Sequence, residues 1–334
     1  MDGWVWAVVL LALTFEYVNG FHDAANAIAT SVLTRALTIR MAVVLCAILN
    51  FLGAISSKAV ATTMGKGLVD PSNVTSAVVV AALLGAIVWD LITWHWGLPT
   101  SSTHAIVGGI IGAVGGYKGL HVLHWAGTKK VFLGLVLSPV VGITAACAVM
   151  VIFLWLFGHH PPHKVNRRFR AWQVASAGLM AFSHGSNDGQ KSMGIIAMAL
   201  ASGAALGHGM VAKDFHIPGW VVLSCATAMG LGSGAGGWRI IKTVGRKVME
   251  LQPIHGCVAE MSAATVILAA SHVGAPISTT HTISSTIMGV GMSRRLSAVR
   301  WKVVASVVGA WVLTLPASAL IAFVAMKLIQ AFTG

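Results

Sequence analysis

The chain has 334 residues, of which 56% are hydrophobic and only 9% charged, and its mean hydropathy is +0.82. A soluble globular chain carries roughly 25% charged residues, so a sizeable soluble domain is excluded, and the length leaves room for roughly ten membrane spans of about 20 residues each. The net charge of +13 does not point to nucleic acid, because no basic patch accompanies a soluble fold.

In chain order, Met1-Asp2-Gly3-Trp4 has no basic n-region, so the first apolar segment is expected to be a retained span. Further apolar runs are Met41–Leu52, Ala77–Trp89, Val131–Phe157, Val258–Ala270 and Val303–Ala325. Hydrophilic breaks fall at Arg35–Arg40, Lys58–Asn73, Lys118–Lys130, His159–Arg170, Leu206–Ile217, Arg239–His255 and Met292–Lys302. With His159–Arg170 on the cytoplasmic side, alternation gives a roughly two-to-one excess of Lys and Arg inside, as the positive-inside rule requires. Both termini are then outside and the two halves insert in opposite senses. Trp4, Trp6, Trp125, Trp172, Trp220 and Trp301 sit near span ends, as in an aromatic belt. Cys46, Cys147, Cys225 and Cys257 have no paired spacing and read as small core residues. The 37 glycines suit close helix packing in lipid.

The segment Gly97-Leu98-Pro99-Thr100-Ser101-Ser102-Thr103-His104 returns as Gly274-Ala275-Pro276-Ile277-Ser278-Thr279-Thr280-His281. Thr63-Met64-Gly65-Lys66 matches Thr243-Val244-Gly245-Arg246, and His22-Asp23-Ala24-Ala25-Asn26 faces Asn187-Asp188-Gly189-Gln190-Lys191. Three pairs in one order, at offsets of about 165 to 180, predict a duplicated unit with interrupted segments at matching places. The expected fold is an all-α polytopic membrane protein with two inverted-topology repeats and broken helices or re-entrant hairpins at the midplane. The repeats cover residues 1–158 and 171–334, joined by the basic linker 159–170.

A proline in the first helical turn sacrifices no hydrogen bond, and Ser or Thr beside it can cap free amides. Helix starts at Pro99–Thr103 and Pro276–Thr280 would aim N–H groups and the positive dipole end at an anion. The hydroxyls of Ser101, Ser102, Thr103, Ser278, Thr279 and Thr280 add donors suited to a tetrahedral oxyanion. Intramembrane charges are functional candidates by default; here they are Glu16, Asp23, Asp90, Asp188, Lys191 and Glu260. Asp23 with Asn26 offers hard oxygens to a cation. In Asp188 with Lys191 the ammonium takes the cation's place, as a structural ion pair or as a direct anion contact. Glu16 reads as a proton acceptor or as a helix–helix contact, and Asp90 and Glu260 as hydrogen-bonded structural groups or functional ones. His22, His104, His184 and His281 stand where they could carry a proton. An intramembrane enzyme is not expected: no nucleophile–base or metal-cluster spacing is present, and no phosphate-binding Gly-x-x-x-x-Gly-Lys-Ser/Thr loop marks a pump.

Phe21-His22-Asp23-Ala24-Ala25-Asn26-Ala27-Ile28-Ala29-Thr30 and Ser183-His184-Gly185-Ser186-Asn187-Asp188-Gly189-Gln190-Lys191 resemble the two signature motifs of the PiT inorganic phosphate transporters. Gly97–His104 and Gly274–His281 resemble that family's paired hairpin motifs. The resemblance covers nearly the whole chain. It implies a secondary active symporter of inorganic phosphate driven by Na⁺ or H⁺, without a resident cofactor, and a homodimer in the lipid bilayer. It implies ion coupling at Asp23, Asn26, Asn187 and Asp188, with His22 alongside, and a Na⁺ position at Asp23, Asn26 and Asp188. Phosphate would be held by Ser101, Ser102, Thr103, Ser278, Thr279 and Thr280, with Gln190 and Lys191 beside them. Sodium-coupled relatives usually carry Asn where His22 stands and a neutral amide where Lys191 stands. The pattern is closer to the bacterial low-affinity subgroup, which implies proton coupling, a cytoplasmic-membrane location and phosphate taken free or complexed with a divalent metal. Another oxyanion, such as sulfate, is the rival substrate.

Overall fold

The computed structural model describes residues 3–66, 69, 74–205, 216–235, 237, 240–241 and 248–333. Among them the regular elements are helical: α1 (Gly3–Leu33), α2 (Ile39–Ile55), α3 (Ala59–Lys66), α4 (Ser76–Trp96), α5 (Ser102–Tyr117), α6 (Trp125–Phe157), α7 (Pro162–Ala205), α8 (Gly219–Ala235), α9 (Pro253–His272), α10 (Thr279–Arg294) and α11 (Trp301–Thr333). The apolar runs anticipated from sequence fall inside α2, α4, α6, α9 and α11. The second member of the Thr63–Lys66 and Thr243–Arg246 pair lies outside the described residues. So do most of the Leu206–Ile217 break and part of the Arg239–His255 break.

Two expectations change. The break at His159–Arg170 is helical from Pro162 onward. Proline is at home at a helix start, and the Lys and Arg that follow are good helix formers. Among the described residues, fewer helices cross unaided than the roughly ten spans the length allows: α1, α4, α6, α9 and α11 are long and apolar enough, or six spans if α2 and α3, bent by 69°, count as one. The shortfall has a physical cause. Helices α5 and α10 have only 16 residues each and α8 has 17, while the middle of α7 is polar.

Helix lengths recur between the first and second parts of the chain. Helices α5 and α10 match at 16 residues, α2 and α8 at 17, α6 and α11 at 33, and α6 and α11 each carry one internal proline, Pro139 and Pro316. Packing is reciprocal between the halves. Helix α2 lies on α7 while α1 lies on α8, and α5 lies on α11 while α10 lies on α6. The crossings need bare backbone. A Cβ on Gly185 would sit 2.1 Å from the Asn50 carbonyl and one on Gly53 2.1 Å from that of Phe182; where α1 crosses α8, a Cβ on Gly20 would sit 2.6 Å from the Met229 carbonyl and one on Gly232 2.2 Å from that of Tyr17.

Two apolar clusters make up the core. Helix α1 contributes Val8–Val18 to the first and Ala24–Ala29 to the second. Helix α7 runs the other way, giving Phe169 and Met180 to the second and Met193–Ala199 to the first. Helices α1 and α7 therefore pass through the centre in opposite senses. Between the clusters lie the polar stretches Asn19–Asp23 and Ser183–Ser192. The six belt tryptophans named above are all exposed, Trp125 most at 63%.

Candidate functional site

The polar centre is built by four elements: the middles of α1 and α7 and the starts of α5 and α10. Each start has the same local cause. Gly97 and Gly274 take positive φ, 67° and 68°, and reverse the chain after α4 and α9. Ser101 and Ser278 then cap the new helices, their hydroxyls accepting from His104 N (3.3 Å) and His281 N (3.1 Å). Pro99 and Pro276 stand two residues before the caps rather than in the first turn, because Ser101 and Ser278 hold the extended cap position. The amides of Ser102, Thr103, Thr279 and Thr280 head their helices with no intrahelical acceptor.

The two starts meet. Thr103 donates to the Ile277 carbonyl at 3.1 Å, and the His104 and His281 rings lie 4.4 Å apart. His281 also stacks on Trp311, whose indole donates to the Pro99 carbonyl at 3.0 Å. All six motif hydroxyls are buried, and so are Asp23, Asp188 and Lys191, so the centre is closed to solvent.

Asp23 is surrounded by donors. It accepts from Ser102 (2.9 Å), Thr280 (3.1 Å) and the Asn26 amide (3.3 Å), and His22 Nδ1 lies 2.8 Å away. Asn26 also donates to Thr280 at 2.8 Å, and its own carbonyl oxygen has no partner among the described residues. Asp188 accepts from Thr279 at 3.2 Å and pairs with Lys191 Nζ at 2.8 Å. Lys191 reaches across the halves to donate to Thr103. Three of the six hydroxyls expected to hold an oxyanion, those of Ser102, Thr279 and Thr280, thus donate in this closed form to the two carboxylates.

The predicted cation set comes together in part. Ligand atoms of Asp23, His184 and Asp188 lie within 4.8 Å of one another. Lys191 Nζ occupies one side of Asp188, 2.8 Å from Oδ1. Two expected site residues face elsewhere. Asn187 holds the turn before α10, donating to Ser271 (3.0 Å) and the Ala275 carbonyl (3.2 Å) and accepting from Ile277 N. Gln190 caps α3: its side-chain oxygen accepts from Val60 N (3.0 Å) and Ala61 N (3.3 Å), and its amide donates to its own helix.

Sequence reasoning missed four partners. Asn19 accepts from Ser102 at 2.7 Å, Thr93 meets His22 Nε2 at 3.2 Å, Thr100 donates to Thr93 at 2.9 Å, and Asn50 binds His184 Nδ1 at 2.8 Å. The available signals were Asn19 one turn before His22 and a lone Asn50 in an apolar helix. Of the open carboxylates, Glu16 accepts from Ser192. Glu260 accepts from Thr30, Ser31, Ser176 and Gln173, and so pins α1 to α7 through α9. Among the described residues, neither oxygen of Asp90 on α4 has a hydrogen-bond partner.

A family model described as the phosphate transporter family matches residues 19–322. A probable low-affinity inorganic phosphate transporter of Bacillus subtilis (strain 168) is 44% identical over 320 residues, covering 95% of each chain. Its namesake from Rhizobium meliloti (strain 1021) is 45% identical over 315 residues, 94% of this chain and 93% of that one. A solved structure described as "The sodium-dependent phosphate transporter" superposes with a TM-score of 0.90 at 27% identity, covering 99% of this chain and 100% of that one.

Proposed function

The chain belongs to the phosphate transporter family, and from that premise we propose that it is a secondary active symporter importing inorganic phosphate across a bacterial cytoplasmic membrane with protons as the coupling ion. One observation carries the mechanism: the hydroxyls of Ser102, Thr279 and Thr280 donate to Asp23 and Asp188. Phosphate and the carboxylates compete for the same donors. A carboxylate that takes up a proton weakens as an acceptor, and its hydroxyl partners turn to the substrate. Phosphate then sits between Ser101–Thr103 and Ser278–Thr280, with the amides at both helix starts and the Lys191 ammonium as fixed positive ends. Asn26 and His22 steady the Asp23 side. Loading of ion and substrate is mutually dependent, as symport requires.

The repeats 1–158 and 171–334, joined by 159–170, act as the two moving bodies of alternating access, and the unit is a homodimer. Where phosphate arrives with a divalent metal, Asp23, His184 and Asp188 are the groups to meet the metal. Sodium coupling is the second reading, favoured by the likeness, at 27% identity, to the sodium-dependent phosphate transporter. The Lys191 ammonium 2.8 Å from Asp188 weighs against it.

Uptake of labelled phosphate into proteoliposomes under separately imposed pH and Na⁺ gradients is the test. Uptake is expected to follow ΔpH and to be inhibited by arsenate more than by sulfate. Uptake that follows Na⁺ and ignores ΔpH rejects proton coupling, and stronger competition by sulfate rejects phosphate as the preferred substrate. A second expectation concerns Thr280. Thr280→Val keeps the shape but removes the donor to Asp23 and the acceptor for Asn26. Leaving buried partners unsatisfied costs about 1–3 kcal/mol, so uptake is expected to fall roughly 10- to 100-fold. A Thr280→Val variant with wild-type kinetics would remove Thr280 from the site.

A further inference from the structure

Asp90 is fully buried on α4, and neither of its carboxylate oxygens meets a hydrogen-bond donor among the described residues. Every other buried carboxylate described has at least one donor: Glu16 from Ser192, Asp23 from four groups, Asp188 from Thr279 and Lys191, and Glu260 from four. A buried charge without partners is strongly disfavoured, and the group neutralises instead. Asp90 is nonetheless beside the coupled centre. One turn on, Thr93 meets His22 Nε2 at 3.2 Å, and His22 Nδ1 meets Asp23 at 2.8 Å. The titratable and charged groups that act on it are His22 and Asp23 from α1 and Asp188 and Lys191 from α7.

We propose that Asp90 is a further coupling residue, binding one transported proton in each cycle separately from the Asp23 and Asp188 carboxylates. The division of labour follows from the donors. Asp23 and Asp188 are held by hydroxyls, an amide and an ammonium, which stabilise their charge in the closed form. Asp90 has nothing to hold a charge there, so it enters the closed form as the neutral acid. When the centre opens to one side, an Asp90 oxygen accepts a proton from hydronium, forming one O–H bond and releasing water. When it opens to the other side, that O–H bond breaks and water takes the proton. Nothing is oxidised or reduced. An unprotonated Asp90 opposes closure, so the transporter does not return through the closed form without its proton. This inference rests on the proton-coupled reading above.

The test is the number of protons bound per phosphate, read from pH changes in weakly buffered detergent solution, and the proton-to-phosphate ratio from reversal potentials in proteoliposomes. Asp90→Asn is expected to lower both by about one relative to wild type, and Asp90→Glu to restore them. Because the Asp90 carboxylate makes no hydrogen bond among the described residues, Asp90→Asn and Asp90→Leu are both expected to fold with wild-type thermal stability. An unchanged proton count in Asp90→Asn overturns the proposal. So does a variant that fails to fold, since that would expose a structural partner. If wild-type protein itself binds no protons with phosphate and follows Na⁺, the underlying reading has failed, and that outcome is visible without any variant.

Discussion

Lys191→Gln is expected to cut ΔpH-driven phosphate uptake by about 100-fold or more, and added Na⁺ is expected to restore part of it. The ammonium is completely buried, 2.8 Å from Asp188, and bridges to Thr103 on the opposite hairpin start. Removing one partner of a buried ion pair typically costs about 3–5 kcal/mol, because the other charge is left uncompensated. A factor of 100 needs only about 2.7 kcal/mol. Glutamine can still donate to Thr103, so the loss reports charge rather than the missing contact. Asp188 then keeps Thr279 and gains room for a cation of hard-oxygen preference. Uptake measured with ΔpH alone, Na⁺ alone and both separates the outcomes. Unchanged rate and unchanged ion dependence would refute the fixed-charge role of Lys191.

The second large effect is structural. Gly185→Val is expected to yield no monodisperse protein, or a melting temperature lower by about 10 °C or more. A Cβ there would lie 2.1 Å from the Asn50 carbonyl, a backbone atom that cannot move without separating α2 from α7. Separation also breaks the His184 to Asn50 hydrogen bond of 2.8 Å, which sits at the same crossing. Membrane helices associate through close backbone approach rather than through apolar burial alone, so lost contact has few substitutes. Gly309→Ala is the control, since nothing lies within 4 Å of its added Cβ. Thermal unfolding of the two purified variants decides the matter. A Gly185→Val protein as stable as the control would show that the crossing yields.

Much of the centre was legible in the sequence because membrane burial makes polar residues conspicuous. The six hydroxyls, Asp23, Asp188 and Lys191 stand out against apolar neighbours, and their pairing across the repeat placed them together before any fold was known. New helices beginning within Pro99–Thr103 and Pro276–Thr280 were readable from the Gly, Pro and Ser order, though the prolines precede the caps instead of opening the first turn. Asn187 and Gln190 were not. Both carry amides that suit an anion or cation as well as a backbone group, and only the fold reveals that one holds the α9–α10 turn and the other caps α3. Likewise Gly20 with Gly232 and Gly53 with Gly185 mark the inter-half crossings, yet a glycine among 37 carries no label of its partner. The helical start at Pro162 was hidden by its charges, which a hydropathy pattern reads as a loop although Lys and Arg favour helix.

The reciprocal packing also governs how the chain is made. Helices emerge in order during synthesis and early ones fold first where they can. Here α5 must wait for α11, and α2 for α7 and α8, so the first half inserts with its main contacts still unmade. The hydroxyl-bearing start of α5 stays unmatched until α10 has emerged and can supply its counterpart. Assembly of the polar centre is therefore expected to be a late, post-insertion event. Either half produced alone should be a target for membrane quality control, and two halves supplied as separate chains should rescue one another.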